Sequence, residues 1–485
     1  VSNVWPGLSI GEGLIEVTKH IAIDFGASSG RVILGHFDGQ KIQLEEIYRF
    51  ANTPVEMNGV LYWDFPKLFQ EIKNGLKAVS RVTTNVESLA IDTWGVDYGY
   101  IDAQGRLLLL PKNYRNEEKL KYQEALYEAL PELEFYKYTG IVPSSINSYV
   151  QLYADIQAHP WLKDVVAHVL FMPDLFNYFL TQQININYSI ASTSGLLSTS
   201  KKWSDTLFEK LGIPKQWFDQ SELTLNKVLG HLTPSLIKET GLSELKVIAS
   251  TGHDTAASIL TVSPNAIFIS CGTWSVIGIQ RDEPIINEVA YQMGLTNEGT
   301  YDGQIKCLKN LNALWILQEL QRYWSEQGHA YSFSELVKSA EMAHIDSFID
   351  VEDAAFLKQE NMYELIQQHL KATGQTLPET VGEWVRIVIQ SIAMQYQRTI
   401  LTIERLSGQS YDTVHMVGGG IQNALLCQLT AKYTGKKVVT GPIEASAMGN
   451  VLGQLCTLGL IKKTDIQQVV AASVQLKNYR PNEYV

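Results

Sequence analysis

A layered α/β protein made of two similar halves is the fold class this sequence predicts, and three observations predict it. Short apolar runs alternate with segments of helical periodicity along most of the 485 residues. A strand–turn–strand unit that starts at Ile21 reappears at Ala266, about half a chain later, as a weak internal repeat. No Pro- or Ser-rich linker separates the halves, so the boundary near residue 245 reads as a hinge.

The first element is His20–Asp24, an apolar run that ends in an acid and runs into Phe25-Gly26-Ala27-Ser28-Ser29-Gly30. Strands are expected at Arg31–Phe37 and Ile42–Phe50, joined by Asp38-Gly39, a strong hairpin signal. Asp64 and Pro66 then open a helix whose inner face is Leu68, Phe69, Ile72, Leu76 and Val79. Ser88–Asp92 is the next strand, leading into Thr93-Trp94-Gly95-Val96-Asp97-Tyr98-Gly99. The stretch from 116 to 240 reads as mainly helical with inserted loops.

The pattern restarts with a strand at Lys246–Ser250, followed by Gly252-His253-Asp254-Thr255. Another strand, Ala266–Ser270, leads to Cys271-Gly272-Thr273-Trp274-Ser275 and a hairpin partner at Val276–Gln280. A long helix is expected over 379–406, stopped by Gly408. The strand Thr413–Val417 feeds Gly418-Gly419-Gly420-Ile421-Gln422-Asn423, and a last strand–helix unit spans Lys437–Thr440 and Glu444–Leu455.

Composition narrows the function. Apolar residues make up 45% and charged residues 19%, as in a soluble globular protein, and the formal net charge is −12. That balance argues against a nucleic-acid partner. No run is long and apolar enough for a bilayer, and the N-terminal residues lack the plan of a signal peptide. Cys271, Cys307, Cys427 and Cys456 are scattered, which points to reduced thiols in a cytoplasmic protein and to no zinc site. Residues 1–19 receive no role.

Five constellations suit phosphate and polyol chemistry. Asp24 at a strand end, beside the backbone N–H groups and hydroxyls of Ser28 and Ser29, suits Mg²⁺ held through water and a phosphate, with Arg31 adding charge. The turn Cys271–Ser275 has the same design; either turn is also readable as a plain hairpin. Gly418-Gly419-Gly420 lets a flat ligand approach a helix N-terminus, or is a structural strand–helix turn. Asp254 is a general base or a helix cap, with His253 beside it for a polyol. Trp94, Gly95 and Asp97 make a sugar platform or a packed turn. A P-loop string is absent.

Taken together, IAIDFGASSGRV, LAIDTWGVDYG, GHDTAAS, FISCGTWSVIG and VHMVGGGIQNALL resemble the FGGY carbohydrate kinases of the sugar kinase/Hsp70/actin superfamily, over about residues 20–480. The combination of ASSGR, DTWGVD and HDTA with GTWS resembles the branch acting on L-rhamnulose. The resemblance implies two ribonuclease-H-like (actin-like ATPase) domains with the active site in the cleft between them. The first, 20–245, would carry most of the sugar side and the first phosphate loop; the second, 246–485, would carry ATP and the base.

It further implies that Asp254 is the base. Asp24, Ala27, Ser28, Ser29, Gly30, Arg31, Thr273, Gln318, Gly419, Gly420 and Asn423 would serve ATP and its Mg²⁺. Trp94, Gly95, Asp97, His253, Asp254, Thr255 and Asn310 would serve a small ketose. Asn310 and Gln318 in KNLNALWILQ would straddle the cleft from one helix. The implied reaction moves the ATP γ-phosphoryl group to the C1 hydroxyl of L-rhamnulose, in a monomer or small homo-oligomer. One departure stands out: PKNYRNEE has Asn116 where relatives often carry Asp, which leaves Arg115 without an assigned role.

Overall fold

The computed structural model describes residues 17–26, 28–218, 223–357 and 361–482. Two sheets organise the chain. The first contains β1 (Thr18–Phe25), β2 (Ser29–Phe37), β3 (Ile42–Ala51), β4 (Ser88–Asp92), β5 (Lys227–His231) and β6 (Lys246–Ala249), in the order β5-β6-β4-β1-β2-β3. The second contains β7 (Ile267–Cys271), β8 (Trp274–Arg281), β9 (Thr296–Gly299), β10 (Ile305–Asn312), β11 (Thr413–Val417), β12 (Lys437–Thr440) and β13 (Lys477–Tyr479), in the order β9-β10-β8-β7-β11-β12-β13.

The repeat is therefore architectural. In each sheet an antiparallel run (β1, β2, β3; β7, β8, β10) is extended by parallel strands (β4, β6; β11, β12). The first turn of each half lies between the opening pair of strands, and the later chemistry-bearing loops follow the parallel strands. Parallel strands bring their C-terminal ends to one edge; the register pairs Asp24 with Asp92.

One assignment changes. Lys246–Ala249 does not open the second sheet; it pairs in parallel with β4 and completes the first. Its neighbours explain why: Val247, Ile248 and Ala249 are buried and continue the apolar layer of Leu89 and Ala90. The second sheet begins at Ile267.

Helices cover both faces. α1 (Phe65–Val82) is capped by Asp64, which accepts from Lys67 N at 3.2 Å, and it buries Phe65, Leu68, Ile72, Leu76 and Val79. Each such side chain contributes about 1.5–3 kcal/mol of burial. α2 (Asp254–Leu260) follows β6, and α3 (Leu314–Glu326) follows β10. α4 (Val381–Ser407) starts in a capping box of Thr380 and Glu383 and stops at Gly408, φ 67°. α5 (Ala424–Thr434), α6 (Ala445–Thr457) and α7 (Ile466–Ser473) complete the set used below.

The halves are interlocked rather than strung in series. α6 and α7 come from the end of the chain, yet Met448, Val451, Leu452, Leu455 and Val470 pack on Ala22, Ile33, Phe37 and Ile42 of the first sheet. α2, from the loop after β6, packs by Ile259, and the turn after it by Val262, on Phe268 and Leu308 of the second. α2 and α6 cross where Gly449 meets α2: a Cβ there would stand 1.8 Å from Ala257 O. Among the described residues no helix is long and apolar enough to cross a membrane, and all four cysteines are free.

Candidate active site

The strand ends of the first sheet carry three carboxylates. Asp24 closes β1, is 4% exposed and takes a 2.5 Å ion pair from Arg31 on β2. Arg31 also bonds Glu444, the residue before α6, so a second-half carboxylate holds the first turn's cation. Burial raises the pKa of Asp24, and Arg31 opposes that shift. Asp92 closes β4, fully buried, and accepts from Thr251 Oγ1 and, at 2.8 Å, from Asn450 Nδ2 of α6. Burial pushes it up to about 8.

Asp254 is the third. The loop before it is fastened to the end of β4 by Thr93 N→Gly252 O and Asp254 N→Thr93 O, both 3.0 Å. Its side chain is 31% exposed. Burial, then the charge of Asp24, pushes its carboxyl up to about 7, while bonds from Thr255 and the charge of Lys306 oppose the rise. Oδ1 accepts from Thr255 N at 2.5 Å and Thr255 Oγ1 at 3.1 Å; among the described residues nothing bonds Oδ2. Such a carboxylate has one oxygen to spare for an incoming hydroxyl proton.

His253, fully enclosed at 7% exposure, lies with Nε2 3.4 Å from Asp254 Oδ1. Lys306 and Glu298 of the second sheet stand on its other side. Asp97 is different. It is 1% exposed and accepts from Trp63 Nε1 at 2.6 Å, Trp94 Nε1 at 2.9 Å, Gln151 Nε2 at 3.2 Å and Tyr114 N at 3.3 Å. Trp94 is 6% exposed and packs on Trp63 with centroids 4.1 Å apart. Trp94 and Asp97 thus support the wall behind Gly95, with neither an open ring face nor a spare oxygen. Arg115 is exposed above the Tyr114 ring.

In the second half, the exposed Thr273 accepts from Gln318 Nε2 at 3.3 Å. The triple glycine lies against the same strand end: a Cβ on Gly420 would stand 2.3 Å from Cys271 Sγ, and one on Gly418 2.9 Å from Cys271 O. Gly419 meets nothing within 4 Å and is exposed. Asn423 is fully buried; its Oδ1 caps α5 through Leu426 N at 3.0 Å, which gives it a structural task in place of an open face. Asn310 and Gln318 do not share a helix. Asn310 is exposed on β10, opposite Val276, and Gln318 lies on α3. The apolar alternation Ile305-Cys307-Leu311 feeds the core, which makes this segment a strand up to Asn312.

Ser28 is exposed and Ser29 half-buried in the first turn, whose shape is held by Gly26 N→Ser29 O at 2.9 Å. Gly30 lies under Phe50, with 2.1 Å left for a Cβ, and Ala27 lies outside the described residues. Thr255 bonds Asp254 through its N–H and hydroxyl, as given above, and its carbonyl accepts from Ser258 Oγ at 2.9 Å. Sequence reasoning missed Asp92, Glu298, Lys306 and Glu444. Asp92 had a signal: Ala-Ile-Asp closes β4 just as it closes β1.

The family models described as the FGGY family of carbohydrate kinases, N-terminal and C-terminal domains, match residues 20–261 and 267–458. The chain is 36% identical to the rhamnulokinase of Bacteroides thetaiotaomicron over 95% of its length and 96% of the relative's. It is 36% identical to that of Halalkalibacterium halodurans over 95% of its length and 98% of the relative's. Among solved structures, a gluconate kinase from Lactobacillus acidophilus superposes with a TM-score of 0.78 at 15% identity, covering 96% of this chain and 94% of that one. A Plasmodium falciparum glycerol kinase with ADP gives 0.78 at 12%, with the same coverage.

Proposed function

The chain belongs to the FGGY family of carbohydrate kinases, and from that premise we propose that it phosphorylates the C1 hydroxyl of L-rhamnulose with ATP, yielding L-rhamnulose 1-phosphate and ADP. One observation carries the mechanism: of the three strand-end carboxylates Asp254 is the most exposed, and among the described residues nothing bonds its Oδ2.

In this reading the ketose lies against Gly95, His253 and Asn310. Its C1 oxygen attacks the γ-phosphorus, the bond to the β-phosphate oxygen breaks, ADP leaves, and the hydroxyl proton passes to Asp254 Oδ2. The first turn, with Ser28, Ser29 and Arg31, and the second turn, with Thr273, bind phosphate oxygens. Gly419 offers a bare backbone to the adenosine, and Gln318 steadies Thr273. Asp97 and Trp94 hold the sugar wall in shape from behind.

Among the described residues no group of three or more His, Cys, Asp or Glu side chains is arranged to hold a metal ion. Asp24 and Asp254 raise the cost of each other's charge, and that mutual repulsion fits a cation brought in on the phosphates. Asp24 would hold Mg²⁺ through water, and the bound ion would supply positive charge to the β- and γ-phosphates.

The test is ADP release against a panel of ketoses and polyols, with phosphorus NMR of the product. L-Rhamnulose should give the highest kcat/KM and a 1-phosphate. Faster turnover of L-fuculose or L-xylulose would reassign the substrate within the family; ATP hydrolysis indifferent to every sugar would defeat the kinase reading.

A further inference from the structure

We infer that Lys306 is a positioning residue for the base: it reaches from the second sheet and fixes the ring of His253 with a bare Nδ1 towards the ammonium and an Nε2–H towards Asp254. The inference rests on Asp254 being the base.

Lys306 is wholly buried, and its ammonium is fully used. It donates to Gly299 O at 2.8 Å, pairs with Glu298 Oε2 at 3.1 Å, and lies 3.3 Å from His253 Nδ1. An ammonium has no lone pair, so Nδ1 is the acceptor in that contact. Burial, and secondarily the charge of Lys306, hold the pKa of His253 well below its ordinary value, so the ring is neutral. Its single proton is then on Nε2, which faces Asp254 Oδ1 at 3.4 Å.

The consequence is an asymmetric carboxylate. Both Thr255 donors fall on Oδ1, the ring's Nε2 lies 3.4 Å from that same oxygen, and Oδ2 is left for the sugar hydroxyl. Glu298 makes the arrangement switchable. Its Oε2 is 3.8 Å from the same Nδ1. Without the lysine, that carboxylate becomes the acceptor for an Nδ1–H, and the ring turns a lone pair on Asp254. The charged and titratable groups around Asp254 are Asp24 and Asp92 of the first sheet, Tyr114, His253, and Glu298 with Lys306 of the second. Of these, Lys306 is the lysine: burial lowers its pKa, and the charge and hydrogen bond of Glu298, with the charge of Asp254, oppose that and hold its proton.

The experiment is ring ¹⁵N NMR of His253, assigned by the signals lost in His253→Gln, combined with pH profiles of kcat/KM for L-rhamnulose. The wild type should show a bare Nδ1. In Lys306→Met the proton should move to Nδ1, and the acid limb should rise by about one pH unit, a loss of about tenfold below the limb. Lys306→Arg, which keeps a cationic donor, should recover most of it. If the single variant does not fold, Glu298→Gln/Lys306→Met removes the orphaned carboxylate, and the limb should still rise because the charge of Lys306 no longer lowers the pKa of Asp254. A wild-type proton on Nδ1, or a limb that stays in place without the lysine, overturns the inference. Undiminished turnover by Asp254→Asn would instead defeat the base reading itself, so the failures are separable.

Discussion

Asp254 and Asp97 each lie a short loop beyond neighbouring strands of the first sheet, and burial raises both, to about 7 and about 6. Only one has the geometry of a base. Asp97 accepts from two indoles, an amide side chain and a backbone N–H, and is 1% exposed. Asp254 takes every donor on one oxygen and is 31% exposed. The difference teaches that a perturbed pKa marks burial, and that an unfilled oxygen marks use. Asp97 is satisfied as a structural acceptor is; on Asp254, among the described residues, nothing bonds Oδ2.

Substitution with Asn should separate the two sharply. Asp254→Asn should lower kcat by about 10²–10⁴ while leaving nucleotide binding and melting temperature close to wild type, read by ADP release and calorimetry. Asp97→Asn should do the opposite in kind. Its carboxylate accepts charge-assisted bonds from Trp63 and Trp94, so its loss should cost about 1.5–3 kcal/mol of stability, read by urea denaturation. Unchanged stability there would break the comparison.

The pH profile sharpens it. A base works ionised, and the folded pKa of Asp254 is raised to about 7. kcat/KM should therefore be level above that pH and fall about tenfold per unit below it. Asp97→Asn should leave the limb in place. A limb that follows Asp97 would exchange the two roles.

The contrast between filled and open recurs within the glycine loop, with a smaller effect. Gly420→Ala drives a Cβ into Cys271 and should destabilise by about 1–3 kcal/mol. Gly419→Ala meets open space, so it should leave the melting temperature alone and raise only the KM for ATP.

Elements whose signal is local were legible in the sequence. The hairpin at Asp38-Gly39, the capped helix after Asp64 and the stop at Gly408 are each fixed by residues next to one another. What escaped is set by distant packing. Lys246–Ala249 reads as the start of a unit because a turn motif follows it, yet its partner is Ser88–Ala90. Asn310 precedes a helix closely enough to read as part of it, but β8 claims it as a strand. Lys306 looks like any lysine in an alternating strand; only the fold places it beside His253. Asn423 follows a ligand-like glycine run, and its side chain turns inward to cap α5. Glu444 is joined to Arg31 across most of the chain, a pairing no local pattern encodes.

Which carboxylate takes the proton is the claim on which the mechanism turns, and the ratio of kcat for the two Asn variants, both at saturating ATP and L-rhamnulose, tests it most directly. Asp254→Asn should be slower than Asp97→Asn by at least about tenfold even though it melts higher. The reverse order, with Asp97→Asn inactive and well folded while Asp254→Asn turns over, would contradict the account.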